Sequence, residues 1–208
     1  MRTRILAASL LLLISAGWLA AQNTANAANL APDRTACLGD REAPVIIEVF
    51  SDFQCPSCQQ FFFGIAQPLL REYVSAGMVC LIYREMPLER IHTYARQAAL
   101  YSVAAGRIGR WMQVTTILYG TQNEWSKDGN IEAVLARELP EDVMSQLRRQ
   151  MKDTKVGAPI DRDLARARQL GVNSTPTWFL TANGKTERQS GVPQYVILKR
   201  YLDHLLNR

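Results

Sequence analysis

Cys55-Pro56-Ser57-Cys58 is the segment of this 208-residue chain best equipped for chemistry. Two cysteines with two residues between them can close a disulfide on each other. At a helix start, the first sulfur sits among backbone N–H groups that have no intrahelical partner, at the positive end of the helix dipole. That setting favours the thiolate, the form of cysteine that attacks disulfides. Spacing alone does not separate a redox couple from a structural bridge, so the flanking elements must decide. Upstream, Val45-Ile46-Ile47-Glu48-Val49-Phe50 is a strongly apolar, strand-like run. Downstream, Phe61, Phe62 and Ile65 follow helical spacing. The cysteines therefore stand where a strand hands over to a helix.

The compartment bears on their reactivity. Arg2 and Arg4 precede an apolar stretch from Ile5 to about Ala21 and a polar, small-residue segment from Gln22 to Ala28. Ala25-Asn26-Ala27 fits the small-x-small cleavage rule, so residues 1–27 are expected to be a signal peptide cut after Ala27. The alternative, an uncleaved anchor, meets an apolar run shorter than the ~20 residues of a spanning helix. Cys37 follows Arg34-Thr35-Ala36, which is no lipobox. Export puts the thiols in an oxidising compartment, where a C-x-x-C is more often redox-active.

Nearly half of the residues are apolar, which suits a globular domain rather than a disordered chain. The formal charge of +5 includes Arg2 and Arg4, and the remainder is mild and scattered. It gives no reason to expect nucleic acid. Arg148-Arg149 and Arg162/Arg166/Arg168 could form a basic face or simply a solvated one.

Along the chain, residues 28–38 read as a flexible N-terminal segment. Gly39 to Glu42 is a turn, Val45–Phe50 the first core strand, and Pro56 to Ser75 a helix bent near Pro68 and stopped by Ala76-Gly77. Met78–Arg84 is a second buried strand, so residues 39–88 form β-α-β with parallel pairing. Over residues 89–159, small and apolar residues recur at helical spacing, as in Tyr94, Ala98, Tyr101, then Trp111, Val114, Leu118. Three to five helices are expected there. Residues 160–208 return to mixed structure: a helix Ile160–Leu170 ended by Gly171, a strand Thr177–Thr181, an Asn183-Gly184 hairpin turn, a return strand Thr186–Ser190, and a C-terminal helix. On that last helix Tyr195, Ile197, Leu198, Tyr201, Leu202 and Leu205 form the apolar side. The order β-α-β, helical block, α-β-β-α predicts an α/β protein: a thioredoxin fold with a helical domain inserted between its two halves.

The run from Ala43-Pro44-Val45 through Phe50-Ser51-Asp52-Phe53-Gln54-Cys55-Pro56-Ser57-Cys58 resembles the exported DsbA-like thiol-disulfide oxidoreductases. So does Gly171-Val172-Asn173-Ser174-Thr175-Pro176-Thr177-Trp178-Phe179. The resemblance covers the chain from about Gly39 and makes Cys55 the exposed nucleophile and Cys58 the buried resolving thiol. Pro56 suits the first helical turn, where a missing N–H costs little. Ser57 can offer a hydroxyl to the Cys55 thiolate. The family likeness implies that Pro176 is cis, turning the Thr175 backbone toward Cys55 for an extended substrate segment; an ordinary trans proline at a strand start is the alternative.

Relatives often carry a buried acid six positions before the first cysteine, where this chain has Val49. Strand alternation aims Glu48 at the opposite face, so it is left out of the catalytic set. Asp52 and Gln54 border the motif and read as solvated loop residues or as the shape of its entrance. His92 reads as a helix-start surface residue or part of the site rim. Phe61-Phe62-Phe63 reads as core plus one rim residue. An even cysteine count in an exported chain suggests a second disulfide, Cys37–Cys80, closing a loop of ~40 residues worth about 3–4 kcal/mol. Two free buried thiols are the alternative.

The expected function is a protein disulfide oxidoreductase that forms disulfides in exported proteins through the Cys55/Cys58 couple, in the periplasm or another extracytoplasmic space. Its partners are reduced or unfolded exported proteins and, by the family likeness, a membrane quinone-linked thiol oxidase. No nucleic acid, no stable membrane insertion after signal cleavage, no cofactor and no metal are expected. Isomerase or reductase activity at the same site is the alternative direction. A zinc module using all four cysteines and a redox-idle chaperone are the alternatives from other classes.

Overall fold

A computed structural model describes residues 32–208, so the expected signal peptide and residues 28–31 lie outside the described residues. The most apolar runs become the centre of a mixed sheet. Strand β1 is Cys37–Leu38 and β2 is Val45–Ser51, buried at every position. Helix α1 (residues 56–74) carries the chain across to β3, Val79–Glu85. Five helices follow: α2 Ala95–Arg107, α3 Trp111–Gly120, α4 Gln122–Trp125, α5 Ile131–Glu138 and α6 Glu141–Met151. Helix α7, Ala158–Gln169, returns the chain to the sheet, where β4 (Thr177–Ala182) and β5 (Lys185–Ser190) form a hairpin before α8, Tyr195–Leu205.

The sheet order is β1-β3-β2-β4-β5. Strands β2 and β3 are parallel, with Val45 opposite Val79 and Ser51 opposite Glu85; the other pairings are antiparallel. This is a thioredoxin fold with helices α2–α6 inserted between its two halves. The hairpin turn places both Asn183 (φ 51°) and Gly184 (φ 71°) in the left-handed region, the geometry a two-residue connection needs to match strand twist.

Alternation along β2 divides the core. Val45, Ile47 and Val49 pack with Phe61, Phe62 and Leu69 of α1 and with the inserted helices in the main cluster. Ile46 and Phe50 belong to smaller clusters on the opposite face, the latter with Ala167 of α7. Glu48 shares that second face.

Several expectations need correction. Residues 37–38 are not part of a flexible segment, because they pair with Ile82 and Leu81 as an edge strand. Helix α1 absorbs Pro68 inside a wider-wound stretch: α-helical turns Pro56–Phe61 and Gln67–Leu69 alternate with π-type turns Phe62–Ala66 and Leu70–Val74. The Gln67 N–H closes onto the Phe62 carbonyl five residues back. Helix α7 starts at Ala158, two residues before the expected boundary. On α8, Leu198 and Leu202 are buried, but Ile197 points away from the core and is 58% exposed. Among the described residues, no helix is long and apolar enough to cross a membrane.

Candidate active site

Cys55 caps α1. Its backbone is extended (φ −78°, ψ 120°), Pro56 occupies the first helical turn, and the Cys55 carbonyl accepts from the N–H groups of Cys58 (3.0 Å) and Gln59 (3.2 Å). The Cys55 thiol lies 3.4 Å from the Thr175 carbonyl, and the Thr175–Pro176 peptide bond is cis. The Cys55 thiol is depressed from 9.0 to about 5. The largest cause is a hydrogen bond from Cys58, opposed by burial and helped by the Thr175 side chain and by the backbone N–H groups of Cys58 and Ser57. The Thr175 hydroxyl is buried with no other hydrogen-bond partner, so ionisation of Cys55 gives it one.

Cys58, one turn further in, is fully buried. Its sulfur accepts the Asp52 N–H at 3.4 Å. Burial pushes this thiol well above its ordinary value, and the nearby Cys55 sulfur pushes it further. The two sulfurs thus divide one proton unequally: the outer gives it up at mildly acidic pH and the inner keeps it.

The loop before the cysteines is held by side chains rather than by solvent. Asp52 is 1% exposed, and its carboxylate accepts the N–H groups of Gln54 (2.7 Å) and Leu88 (2.7 Å) and lies 2.9 Å from His92 Nδ1. Gln54 accepts the Tyr94 N–H and donates to the Ser126 carbonyl. The solvated-loop reading of Asp52 and Gln54 and the surface reading of His92 are therefore corrected. These residues tie the dithiol loop to the chain entering the inserted helices. Gln122 of α4, absent from the sequence reading, donates to the carbonyls of Phe53 (2.6 Å) and Cys55 (3.1 Å).

Two further expectations shift. Cys55 is the more accessible of the pair, but the residue as a whole is only 9% exposed, against 0% for Cys58. Among the described hydrogen bonds, Ser57 acts on Cys55 through its backbone N–H, not through its hydroxyl. Pro56 is exposed beside them. Phe61 and Phe62 are core and Phe63 is 37% exposed.

Glu48 stays off the site. It is buried on the opposite face of β2, 2.9 Å from Arg84 Nε and 3.2 Å from Arg166 Nη2, and Arg84 in turn meets Asp163 at 3.1 Å. Arg148 pairs with Glu132 and Glu141. Cys37 and Cys80 are joined as a disulfide, with Cys80 in the cluster of Ile46 and Ile82 on that same second face. A zinc site built from all four cysteines is thereby corrected: one pair is bonded, and the other lies in the main core. Among the described residues, no three His, Cys, Asp or Glu side chains are arranged to hold a metal ion.

A free cysteine pair at a helix start, beside a cis-proline loop at one end of a mixed sheet, defines the thioredoxin-fold dithiol proteins. Residues 32–192 match the family described as thioredoxin, and the chain belongs to that family. Within it, the fold is DsbA-like. The alpha-DsbA1 structure of Wolbachia pipientis superposes with a TM-score of 0.69 at 20% identity, covering 83% of this chain and 90% of that one. The "Probable disulfide bond formation protein D" of Bacillus cereus is 23% identical over 155 residues, 70% of this chain and 69% of that protein. The "Na(+)/H(+) antiporter NhaA 3" of Salinispora tropica is 32% identical over 155 residues, 74% of this chain but 22% of the antiporter. The chain thus spans about a fifth of that relative's length.

Proposed function

We propose that this chain is an exported thiol-disulfide oxidoreductase that donates the Cys55–Cys58 disulfide to reduced or unfolded proteins outside the cytoplasm. The observation that carries the reading is the opposed setting of the two thiols: Cys55 starts α1 with its sulfur 3.4 Å from the Thr175 carbonyl and is depressed to about 5, while Cys58 is fully buried and raised. A client thiolate attacks the Cys55 sulfur and the Cys55–Cys58 bond breaks. The client's second thiol then displaces Cys55, which leaves readily because its thiolate is stable near neutral pH. Ionisation of Cys55 stabilises only the reduced enzyme, which favours the oxidase direction.

Clients need an apolar landing surface near the sulfurs. Val192 follows Gly191, whose N–H binds the Pro176 carbonyl at 2.8 Å. Ile91 sits in the segment that Asp52 holds through Leu88 and His92. Both are exposed, at 38% and 72%. Thr175 and Pro176 are assigned to the client's backbone, and Pro56 and Ser57 to the rim around Cys55. A membrane quinone-linked thiol oxidase is the proposed source of oxidising equivalents, a periplasmic or similar space the proposed location, and residues 1–27 the proposed export signal.

The test is oxidation of a reduced model protein with a glutathione buffer as the reference. Catalysis that is lost in Cys55→Ala, with a potential nearer the oxidising end of the ~−120 to −270 mV span of such enzymes, supports the oxidase. A potential near the low end assigns a reductase, and full activity in Cys55→Ala refutes the dithiol mechanism.

A further inference from the structure

The buried end of the dithiol has an unusual neighbour. Apart from the Cys55 thiol and the Asp52 N–H, the polar group acting on Cys58 is a hydroxyl, that of Ser51. Ser51, the last residue of β2, is 1% exposed, and its Oγ lies 2.8 Å from the Tyr119 hydroxyl of α3 and 3.1 Å from the Tyr83 hydroxyl of β3. The next residue, Asp52, sends its N–H to the Cys58 sulfur, so the strand end that presents Ser51 also touches the thiol.

A serine oxygen accepts two hydrogen bonds and donates one. When Tyr83 and Tyr119 both donate to Ser51 Oγ, its own O–H remains for a further acceptor. The Ser51 hydroxyl favours the Cys58 thiolate, and burial, with the Cys58 charge adding to it, raises both phenols, which keeps them protonated donors. Chained hydroxyls polarise one another, so the last donor is stronger than a lone serine.

The ionisable groups around this cluster are few. Cys55 and Cys58 act on each other, and Tyr83 and Tyr119 respond to Cys58. Glu85, on the same strand as Tyr83, bonds Ser102 and is largely protonated near neutral pH, with its titration pushed up to about 8. Asp52 is committed to Gln54, Leu88 and His92, and Glu48 to arginines across the sheet.

We infer that Ser51, backed by Tyr83 and Tyr119, is the positioning group that holds the Cys58 sulfur while it carries negative charge, in place of a buried carboxylate. The inference rests on the proposed dithiol couple. When a client thiolate attacks Cys55 Sγ, the Cys55–Cys58 bond breaks and its electron pair leaves on Cys58 Sγ. There the Asp52 N–H and the Ser51 O–H stabilise it. The client's second thiol then attacks the client sulfur bound to Cys55 and loses its proton. Cys58 ends with one proton and Cys55 leaves as thiolate, so client oxidation and enzyme reduction balance at two electrons. Re-oxidation runs the inner step backwards: Cys58 must shed that proton before it attacks Cys55.

The experiment uses the reduced chain and an aromatic disulfide, dithiobis-nitrobenzoate, in rapid mixing. The first coloured thiolate is released when Cys55 attacks the reagent. The second is released when Cys58 displaces the nitrobenzoate from Cys55. Ser51→Ala is expected to slow the second phase about tenfold and to move its pH dependence up by about one unit, because a hydrogen bond to a charged sulfur is lost. The first phase should stay within about twofold, since Cys55 keeps its donors. Ser51→Thr, which retains the hydroxyl, should restore the second phase; a general loss of packing would not discriminate between the phases in this way. An unchanged second phase in Ser51→Ala, or an equal slowing in Ser51→Thr, overturns the inference while leaving the dithiol couple intact. No second phase in the unaltered chain overturns both. Should Ser51→Ala not fold, Tyr119→Phe keeps the ring stacked on Phe62 at 5.1 Å and removes one donor. A slowed second phase there supports the assignment, and an unchanged one overturns it.

Discussion

Replacing Cys58 with alanine tests what makes Cys55 acidic. In the wild-type fold the Cys55 thiol titrates at about 5 instead of 9.0. Because this acid is depressed on folding, it stabilises the reduced protein above pH 9, where the contribution is about 5 kcal/mol, and less as pH falls. At pH 7 about 3 kcal/mol remains, and it vanishes as pH drops through 5. The oxidised form has no such term, so at pH 7 the couple is about 60 mV more oxidising than one with an unperturbed thiol. Hydrogen bonding from Cys58 is the largest favourable cause, ahead of Thr175 and the backbone N–H groups of Cys58 and Ser57. A hydrogen bond to a charged group contributes about 1.5–3 kcal/mol, or about 1–2 pH units. Cys58→Ala removes the thiol donor but keeps the backbone N–H, so the Cys55 midpoint should move from about 5 to about 6–7. Thiolate absorbance and the pH dependence of iodoacetamide alkylation read that midpoint directly, with the Cys37–Cys80 bridge silent. A wild-type midpoint near 9, or a Cys58→Ala midpoint still at about 5, would refute the reasoning. The second outcome would assign the acidity to Thr175 and the helix start together.

Glu85 is buried, and desolvation raises its carboxyl from 4.5 to about 8. Between those values the unfolded chain releases a proton that the folded chain keeps, so stability falls as pH rises, by about 1.4 kcal/mol per unit at most. Glu85→Gln should therefore be more stable than wild type at pH 8, with the gap closing toward pH 5. Urea denaturation at the two pH values checks this, and a gap independent of pH contradicts it. Glu48→Ala leaves Arg84 and Arg166 without their shared buried carboxylate and should cost about 3 kcal/mol. Because Glu48 faces away from the sulfurs, the Cys55 midpoint should not move, and a shift above about half a unit counts against that placement. Gly129 (φ +76°) lies where an added Cβ would come within 2.5 Å of the Tyr94 ring. Gly129→Ala should cost at least about 1–2 kcal/mol through the left-handed backbone alone. It should also disturb the Tyr94 N–H bond to Gln54, read as a lower melting temperature with faster exchange of that amide.

The parts of this molecule that could be read from sequence are those whose cause is local. Val45–Phe50 is a strand because a run apolar at every position but Glu48 has to be buried on both faces, and Asn183-Gly184 is a turn because its residues tolerate left-handed backbone. The helical spacing from Tyr94 to Leu147 is equally local. Ser51, Asp52, Gln54 and His92 were harder for a common reason: each is polar beside a loop, and polarity in a sequence is counted as exposure. Here Asp52 is buried because Leu88 and His92 arrive from beyond β3 to meet it, and Gln122 reaches Cys55 from the far side of α3. No periodicity encodes such meetings.

The same limit hid the buried charges. Glu48, Arg84, Asp163 and Arg166 look like four solvated residues in the chain, yet the fold compensates them against one another on the sheet face opposite the dithiol. That division has a chemical consequence. Within β2 the one charged side chain, Glu48, faces away from the sulfurs and is closely paired, while the groups that favour the thiolates of Cys55 and Cys58 are neutral: thiol, hydroxyl and backbone N–H. A full positive charge beside Cys55 would depress its thiol further but would also hold the departing thiolate tightly in every later step. Neutral donors stabilise the anion by a few kcal/mol in total, enough to make Cys55 a good leaving group near pH 7 and weak enough to let it attack again. Thr175, with a buried hydroxyl that has no partner until Cys55 ionises, belongs to the same economy of charge, and so does Ser51 at the other sulfur.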